Sequence, residues 1–336
     1  MFNFKKKKVY PRYSYYDSVL NEDGEQVSTK EALGGKTDKI FVRMDSEFLE
    51  DYFKDVAKGD CSYVTYLDDI ALDYLKGKKI PVSAVSTLLK LYDSASKRAY
   101  NEDIGSRVGN LIGVPVVYNR AYKCGSVIFN MSIDYMKYGD HMEYGVLYPD
   151  YTGKNEDPYN GWGLNEWKHY LKKAALHDPK TGMPIPLEKR EKLVESFIPT
   201  YFFRRYVLKD TDFGFHNMCI VHDKRNDSYK FGPNYDMERA FYSNTTFDEY
   251  LSRLSKDMHS AMVTHPKLMK NFMTRLSKIS SSQLITPWLF GNIEDKKYRN
   301  KAIKSIYQSI NTMCHEYTRI REKIGESEDS SSYIKK

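Results

Sequence analysis

The feature that most restricts the fold is a run near the middle of the chain, TDFGFHNMCIVHDKRNDSYKFGPNYDMERAFY, residues 211–242. Its segments MCIVHD and SYKFGP are rich in β-formers and flank the turn-forming KRND, so residues 218–235 are expected to form a hairpin. Asp212 and Asn217 stand just before that hairpin, and Asp236 follows it directly. A strand, a turn and a second strand therefore separate one acid–amide pair from one further acid. Whatever fold surrounds this run has to accommodate three polar side chains at the open end of a hairpin.

The rest of the chain supplies enough material for a large core or two lobes. Of its 336 residues 41% are hydrophobic and 14% aromatic, which excludes a disordered or fibrous protein. DKIFVRM, residues 38–44, reads as a strand after the turn GGKTD, and residues 46–58 carry apolar side chains at helical spacing. Apolar positions recur at three and four between 65 and 99, broken by Gly77 and Pro81, and predict two helices. A helix over about 101–111 is stopped by Gly113, and strands follow at 114–121 and 126–131. The segment 147–163 is rich in Gly, Pro, Asn and Asp and marks a boundary. Beyond it the pattern is mainly helical, at 187–208 with a kink or restart at Pro199, then 247–259, 267–279 and 296–324. The tail GESEDSSSYIKK is expected to be disordered. The expectation is an α+β chain with a mixed lobe over 1–147, a mostly helical lobe over 148–324 and a tail over 325–336.

Several function classes fall away. The net charge of +7 comes from 52 Lys+Arg against 45 Asp+Glu, and its only dense run, Lys5 to Lys8, reads as a solvated terminus, not as a nucleic-acid surface. Cys61, Cys124, Cys219 and Cys314 lie far apart, and the eight histidines show no metal spacing, so neither a zinc site nor a disulfide framework is expected. No apolar window has the length of a membrane span or the form of a signal peptide, which makes a cytoplasmic protein the expectation.

The letters Asp212-Phe213-Gly214 spell the metal-binding signature of protein kinases, but that role requires H-R-D-x-x-x-x-N upstream. Residues 187–209 contain neither Asp nor Asn, and His177-Asp178 is followed by PKTGMP. If Asp212 is instead the base, Asn217 falls at the D-x-x-x-x-N spacing and Asp236 takes the place of the metal aspartate after the hairpin. Phosphoryl transfer needs one base and hard oxygen ligands for a cation, and this trio supplies them. The alternative is that Asp212 and Asn217 make turn hydrogen bonds while Asp236 caps residues 237–241.

The run resembles the C-lobe core of HipA-like serine/threonine kinases, whose pattern is T-D-x-x-x-x-N, a strand pair, then P-x-Y-D. Thr211, Asp212, Asn217, Pro233, Tyr235 and Asp236 match it, while Gly214 stands where that family usually has histidine. NEDIGSRVGNLIGVPV resembles the helix that bears the glutamate paired with the ATP lysine, a role that falls to Glu102; an exposed acid in a first helical turn is the other reading. Strand 38–44 resembles the lysine strand, with Arg43 at the aligned position and Lys39 or Lys54 as substitutes. Gly34 and Gly35 either cradle phosphates or form a plain turn. The resemblance implies a two-lobed, protein-kinase-like fold, with ATP and Mg2+ as cofactors. It implies transfer of the γ-phosphate to serine or threonine of a protein substrate, and a toxin restrained by a DNA-binding antitoxin partner. Two other readings stand beside it: a kinase-fold binding module of weak activity, motivated by Arg43, and a small-molecule phosphotransferase, which shares the D-x-x-x-x-N and metal-aspartate pattern.

Overall fold

The computed structural model describes chiefly residues 86–133, 142–146, most of 161–279, and 295–333, with short strands at 13–15, 18–20, 26–28 and 39–44. Gly34, Gly35, Lys54 and the segments 46–58 and 65–85 lie outside the described residues, as does most of the expected boundary loop. The architecture is mixed α+β, with small antiparallel sheets and several helices.

The first sheet has five strands in the order β1 (Tyr13–Tyr15), β4 (Lys39–Met44), β5 (Ser86–Asp93), β7 (Val127–Ile133) and β6 (Asn119–Cys124). A separate two-stranded ribbon pairs β2 (Ser18–Leu20) with β3 (Gln26–Ser28). Strand β5 occupies a stretch whose spacing predicts helix. It lies inside the sheet, between β4 and β7, and buried residues occur on both of its faces, Leu89 on one and Lys90 and Tyr92 on the other, although Leu91 at its end is exposed. A strand covered on both sides loses the polar alternation that identifies strands in sequence, and the spacing of Val85, Leu89 and Tyr92 imitates a helix.

Helix α1 (Arg98–Ile112) crosses this sheet and is buried almost all round. Its polar residues are matched one by one. The Arg107 guanidinium reaches Asp103 one turn earlier at 2.5 Å, and the Asp103 carboxylate also accepts from the Ala121 amide. Ser106 donates to the Val117 carbonyl, and Asn130 donates to the Ala99 carbonyl. As expected, Gly113 ends the helix, at φ 76°, where its amide donates back to the last turn. Strand β6 begins at Asn119, not at 114, because the residues after Gly113 are used elsewhere. Val116 forms a parallel bridge with Asn234, the Val117 amide donates to the Asn234 carbonyl, and the Asn234 amide donates to the Pro115 carbonyl. This strap fastens the end of α1 to the P-N-Y-D run.

The second sheet has the order β10 (Ser228–Phe231), β9 (Cys219–Asp223) and β8 (Met142–Val146). The hairpin β9–β10 has the expected extent, with Ser228 opposite Asp223. Because β8 pairs with β9, the chain has joined this sheet before the loop-rich segment starts. Of the helices α2 (Leu164–Lys173), α3 (Arg190–Phe202), α4 (Phe247–Thr264), α5 (Pro266–Ser277) and α6 (Lys296–Tyr333), α3 packs against β10, and the others pack against α3 and one another. Helix α3 runs through Pro199 without interruption, and the irregularity comes directly after it as a π-turn over Phe203–Val207. Helix α6 continues to Tyr333, so residues 325–333 carry helical backbone where composition predicts disorder. Its apolar stripe, including Ile306, Ile310, Met313 and Ile320, is core packing.

An aromatic cluster holds the hairpin and the loop before it. Trp167, Phe197, Tyr201 and Phe213 pack with ring centroids 5.3 to 6.0 Å apart, and Phe231 of β10 lies 4.9 Å from Phe197. Phe213, 2% exposed, is therefore the anchor of the loop that carries Asp212.

Candidate functional site

Lys90 on β5 has its ammonium inside the protein, where it donates to Glu102 Oε1 at 2.7 Å and to Asp236 Oδ1 at 2.8 Å. Lys90 and Glu102 are 7% and 1% exposed, and the Asp236 side chain is 28% exposed. Three distant pieces of sequence meet here: the central strand, the buried helix α1 and the segment after the β9–β10 hairpin. Burial alone would lower the Lys90 pKa, but the Glu102 and Asp236 carboxylates outweigh it and hold the ammonium charged, with its pKa raised.

Glu102 has further partners. The Asn119 amide donates to its other oxygen at 2.7 Å, and the Tyr92 hydroxyl lies 2.9 Å from Oε1. Tyr92 stands two residues after Lys90 on the same face of β5, so one strand presents both groups to one carboxylate. The Tyr92 hydroxyl also lies 3.0 Å from Glu238 Oε2. Oxygens of Glu102, Asp236 and Glu238 fall within 4.8 Å of one another. Burial, with Asp236 and Glu102 nearby, pushes the Glu238 carboxyl up, and burial likewise raises the Tyr92 phenol. Lys90 and the half-exposed Arg98, whose guanidinium lies 3.5 Å from Glu238 Oε1, face these three carboxyl groups, which leaves a smaller excess of negative charge that a bound cation would relieve.

The loop of Asp212 is bound against the segment 233–241. The Thr211 amide meets the Arg239 carbonyl, and the Phe241 amide donates to the Leu208 carbonyl. Beneath them, Arg204 donates to the carbonyls of Tyr235 and Asp236 and contacts Asp210 at 2.5 Å, a charge pair without good hydrogen-bond alignment at that oxygen. Arg204 also lies over the Phe213 ring at 5.5 Å. The Asp210 carboxyl is raised by burial, against the pull of Arg204, and its other oxygen accepts from the Asp212 amide. Asn217, 3% exposed, donates from Nδ2 to the Asp212 carbonyl at 2.8 Å, which leaves Oδ1 as the end that can meet a cation. The Asp212 carboxylate is partly exposed, with Arg239 Nε 3.8 Å away.

The structure thus brings together Glu102 with Asp236, and Asp212 with Asn217, and links the two pairs through Arg204. Asp236 caps no helix: it sits at φ 51°, and residues 238–241 form turns. Glu102 is a buried acid, not an exposed one. The cation described beside it was not among those expected. Arg43 was the first expectation and Lys39 the second, but the described partner of Glu102 is Lys90, one strand further into the sheet. In the register Lys39 stands opposite Lys90, and Arg43 opposite Ser86. Lys90, Tyr92, Glu238, Arg204 and Asp210 went unread in the sequence. One signal was available: from Ile80 to Tyr92, Lys90 is the sole charged residue. Asp178 of the rejected His177-Asp178 pair accepts from the Tyr229 hydroxyl on β10.

The cluster of Glu102, Asp236 and Glu238 offers hard carboxylate oxygens that could hold a cation such as Mg2+. No described helix is long and apolar enough to cross a membrane. No protein-family profile matches the chain, and no curated protein does. Among solved structures it is distantly similar to the Helicobacter pylori proinflammatory kinase CtkA, with 12% identity and a TM-score of 0.45 over 71% of this chain and 95% of that one. It is also similar to a chain of the Shewanella oneidensis MR-1 toxin–antitoxin complex of HipA, HipB and operator DNA. There the identity is 11% and the TM-score 0.46, over 70% of this chain and 59% of that one.

Proposed function

We propose that the chain is an ATP-dependent, HipA-like kinase that transfers a phosphoryl group to serine or threonine of a protein. The observation that carries this reading is Lys90, buried between Glu102 and Asp236. A strand lysine paired with a helix glutamate, next to an aspartate that follows a hairpin, is the set of parts phosphotransfer kinases require. ATP and Mg2+ supply the phosphoryl group and the charge neutralisation it needs, with Asp236 and Asn217 as the residues that would hold the metal ions.

The chain's own groups do the rest. Glu102, fixed by Asn119 and Tyr92, keeps Lys90 charged and aimed at the site of the phosphates. Asp212 orients the acceptor hydroxyl and accepts its proton, and Phe213 and Asp210 keep its loop in place. Lys90 also removes the motive for a weakly active binding module, which was the arginine at position 43. The acceptor is assigned to protein on the P-x-Y-D match, and an antitoxin partner is part of the same HipA-like reading.

The test is transfer of label from γ-labelled ATP with Mg2+ to the protein itself and to added protein acceptors, compared between the parent and Asp212→Asn. Labelling that Asp212→Asn abolishes supports the proposal. Turnover on sugars or aminoglycosides with no labelled protein would move the acceptor to small molecules, and labelling unaffected by Asp212→Asn would end the assignment.

A further inference from the structure

A cavity of about 200 Å³ opens beside the Asp212 loop, on a wall different from the one that holds Lys90. Arg205, Lys209 and Arg253 bring three cationic groups to it, and Thr211 and Thr245 bring two hydroxyls. Among the described residues that line it the one carboxylate, Asp210, is already paired with Arg204. The described lining of the cavity therefore carries more cationic than anionic groups.

Two further observations favour an anionic ligand. Lys209 is half-buried with its ammonium 4.9 Å from the Tyr250 ring, and neither it nor Arg253 pairs with a carboxylate among the described residues. Lys209 also holds a left-handed backbone conformation, φ 51°, which is unfavourable for a residue with a side chain and places it at the lip of the cavity. Burial lowers its pKa, so an entering anion would stabilise its charged form. The start of α4 nearby does not account for the attraction, because Thr246 and Glu249 satisfy it with a reciprocal capping box.

The position gives the ligand its class. Thr211 lines the cavity and Asp212 is the next residue, about 3.8 Å along the chain. We propose that this cavity binds an oxyanion, the carboxylate or phosphate of a residue close to the accepting hydroxyl, so that the protein selects acidic or already phosphorylated segments of its substrate. That the ligand belongs to the acceptor rests on the phosphotransfer reading above; the anion binding does not.

The experiment uses the full chain and three short synthetic peptides, each with a central serine flanked by phosphoserine, by glutamate or by glutamine. Their affinities are measured by calorimetry at low salt for the parent, for Arg253→Gln and for Arg205→Gln/Arg253→Gln, with ATP and Mg2+ titrated separately. Arg253 is exposed, so the single variant keeps the test valid if the double variant does not fold. The acidic peptides are expected to bind about tenfold or more tightly than the glutamine peptide. Each lost arginine should weaken them about tenfold, as removal of a charge-assisted hydrogen bond does. Preference for phosphoserine alone assigns the site to phosphate, and preference for both to acidic residues in general. Equal affinity for all three peptides, or acidic binding that survives in the variants, overturns the proposal. Arginine-dependent peptide binding without any ATP binding would leave the cavity standing and remove the kinase; ATP binding and transfer without peptide discrimination would do the reverse.

Discussion

Replacing Lys90 by methionine keeps most of the side-chain volume and removes the one positive charge between Glu102 and Asp236. Breaking a buried ion pair at one partner costs about 3–5 kcal/mol, because the other charge is left behind. Glu102 retains the Asn119 amide and the Tyr92 hydroxyl, and the Asp236 side chain, 28% exposed, regains water. The loss should therefore lie near the lower end, about 3 kcal/mol, or about 4 °C in Tm for a chain of this length. The double variant Lys90→Met/Glu102→Gln removes the orphaned charge as well and should be less destabilised than the sum of the single variants by about 1–3 kcal/mol. The exposed Lys270→Met should stay within about 0.5 kcal/mol of the parent. The pKa of Lys90 is raised on folding, so its contribution is complete below the unfolded lysine value of about 10.4 and is lost only as pH rises through the folded value. The gap between parent and Lys90→Met should accordingly be level from about pH 7 to 9. Urea and thermal unfolding of the five proteins, the parent, Lys90→Met, Glu102→Gln, their double variant and Lys270→Met, measure all of this. A Lys90→Met variant that melts within about 1 °C of the parent, or strict additivity in the double variant, would refute the argument that this lysine neutralises a buried carboxylate.

Three other substitutions test separate parts of the account. Gly113→Ala puts a side chain at φ 76°, where an ideal Cβ would lie 2.1 Å from Arg275 Nη1, and should cost about 1–2 kcal/mol in urea unfolding. Phe213→Ala empties the centre of the aromatic cluster and should cost about 3–5 kcal/mol by the same measure, with label transfer falling as the Asp212 loop loses its anchor. Asp212→Asn should leave Tm and ATP affinity unchanged while the initial rate of label transfer falls about 100-fold or more, the contribution expected of a positioned base.

The parts of this fold that were legible in the sequence are those fixed by neighbours in the chain. The β9–β10 hairpin follows from alternation around KRND, and α1 from its spacing and from Gly113. Asp212, Asn217 and Asp236 could be proposed together because one hairpin joins them. The lysine beside Glu102 was not legible in the same way. Lys90 meets Glu102 across twelve residues and Asp236 across 146, and on its strand Leu89, Lys90 and Tyr92 are buried on opposite faces, which blurs the alternation. Strand 38–44 looked the better candidate because an antiparallel neighbour with a turn before it has the same local pattern. Arg204 and Asp210 were hidden for a related reason: their pairing lies within a π-turn and its exit, where side-chain directions do not follow the period of an α-helix. The helical backbone of residues 325–333 shows the limit of composition, since a long preceding helix can propagate through polar residues.

The most direct measurement is a structure of the protein with a non-hydrolysable ATP analogue and Mg2+. The account expects the phosphates at Lys90, with Glu102 still behind it, and the metal on Asp236 and the Asn217 carboxamide oxygen. It also expects Asp212 to face the outer end of the triphosphate. A nucleotide bound away from Lys90, or a metal that leaves Asp236 and Asn217 untouched, would contradict it.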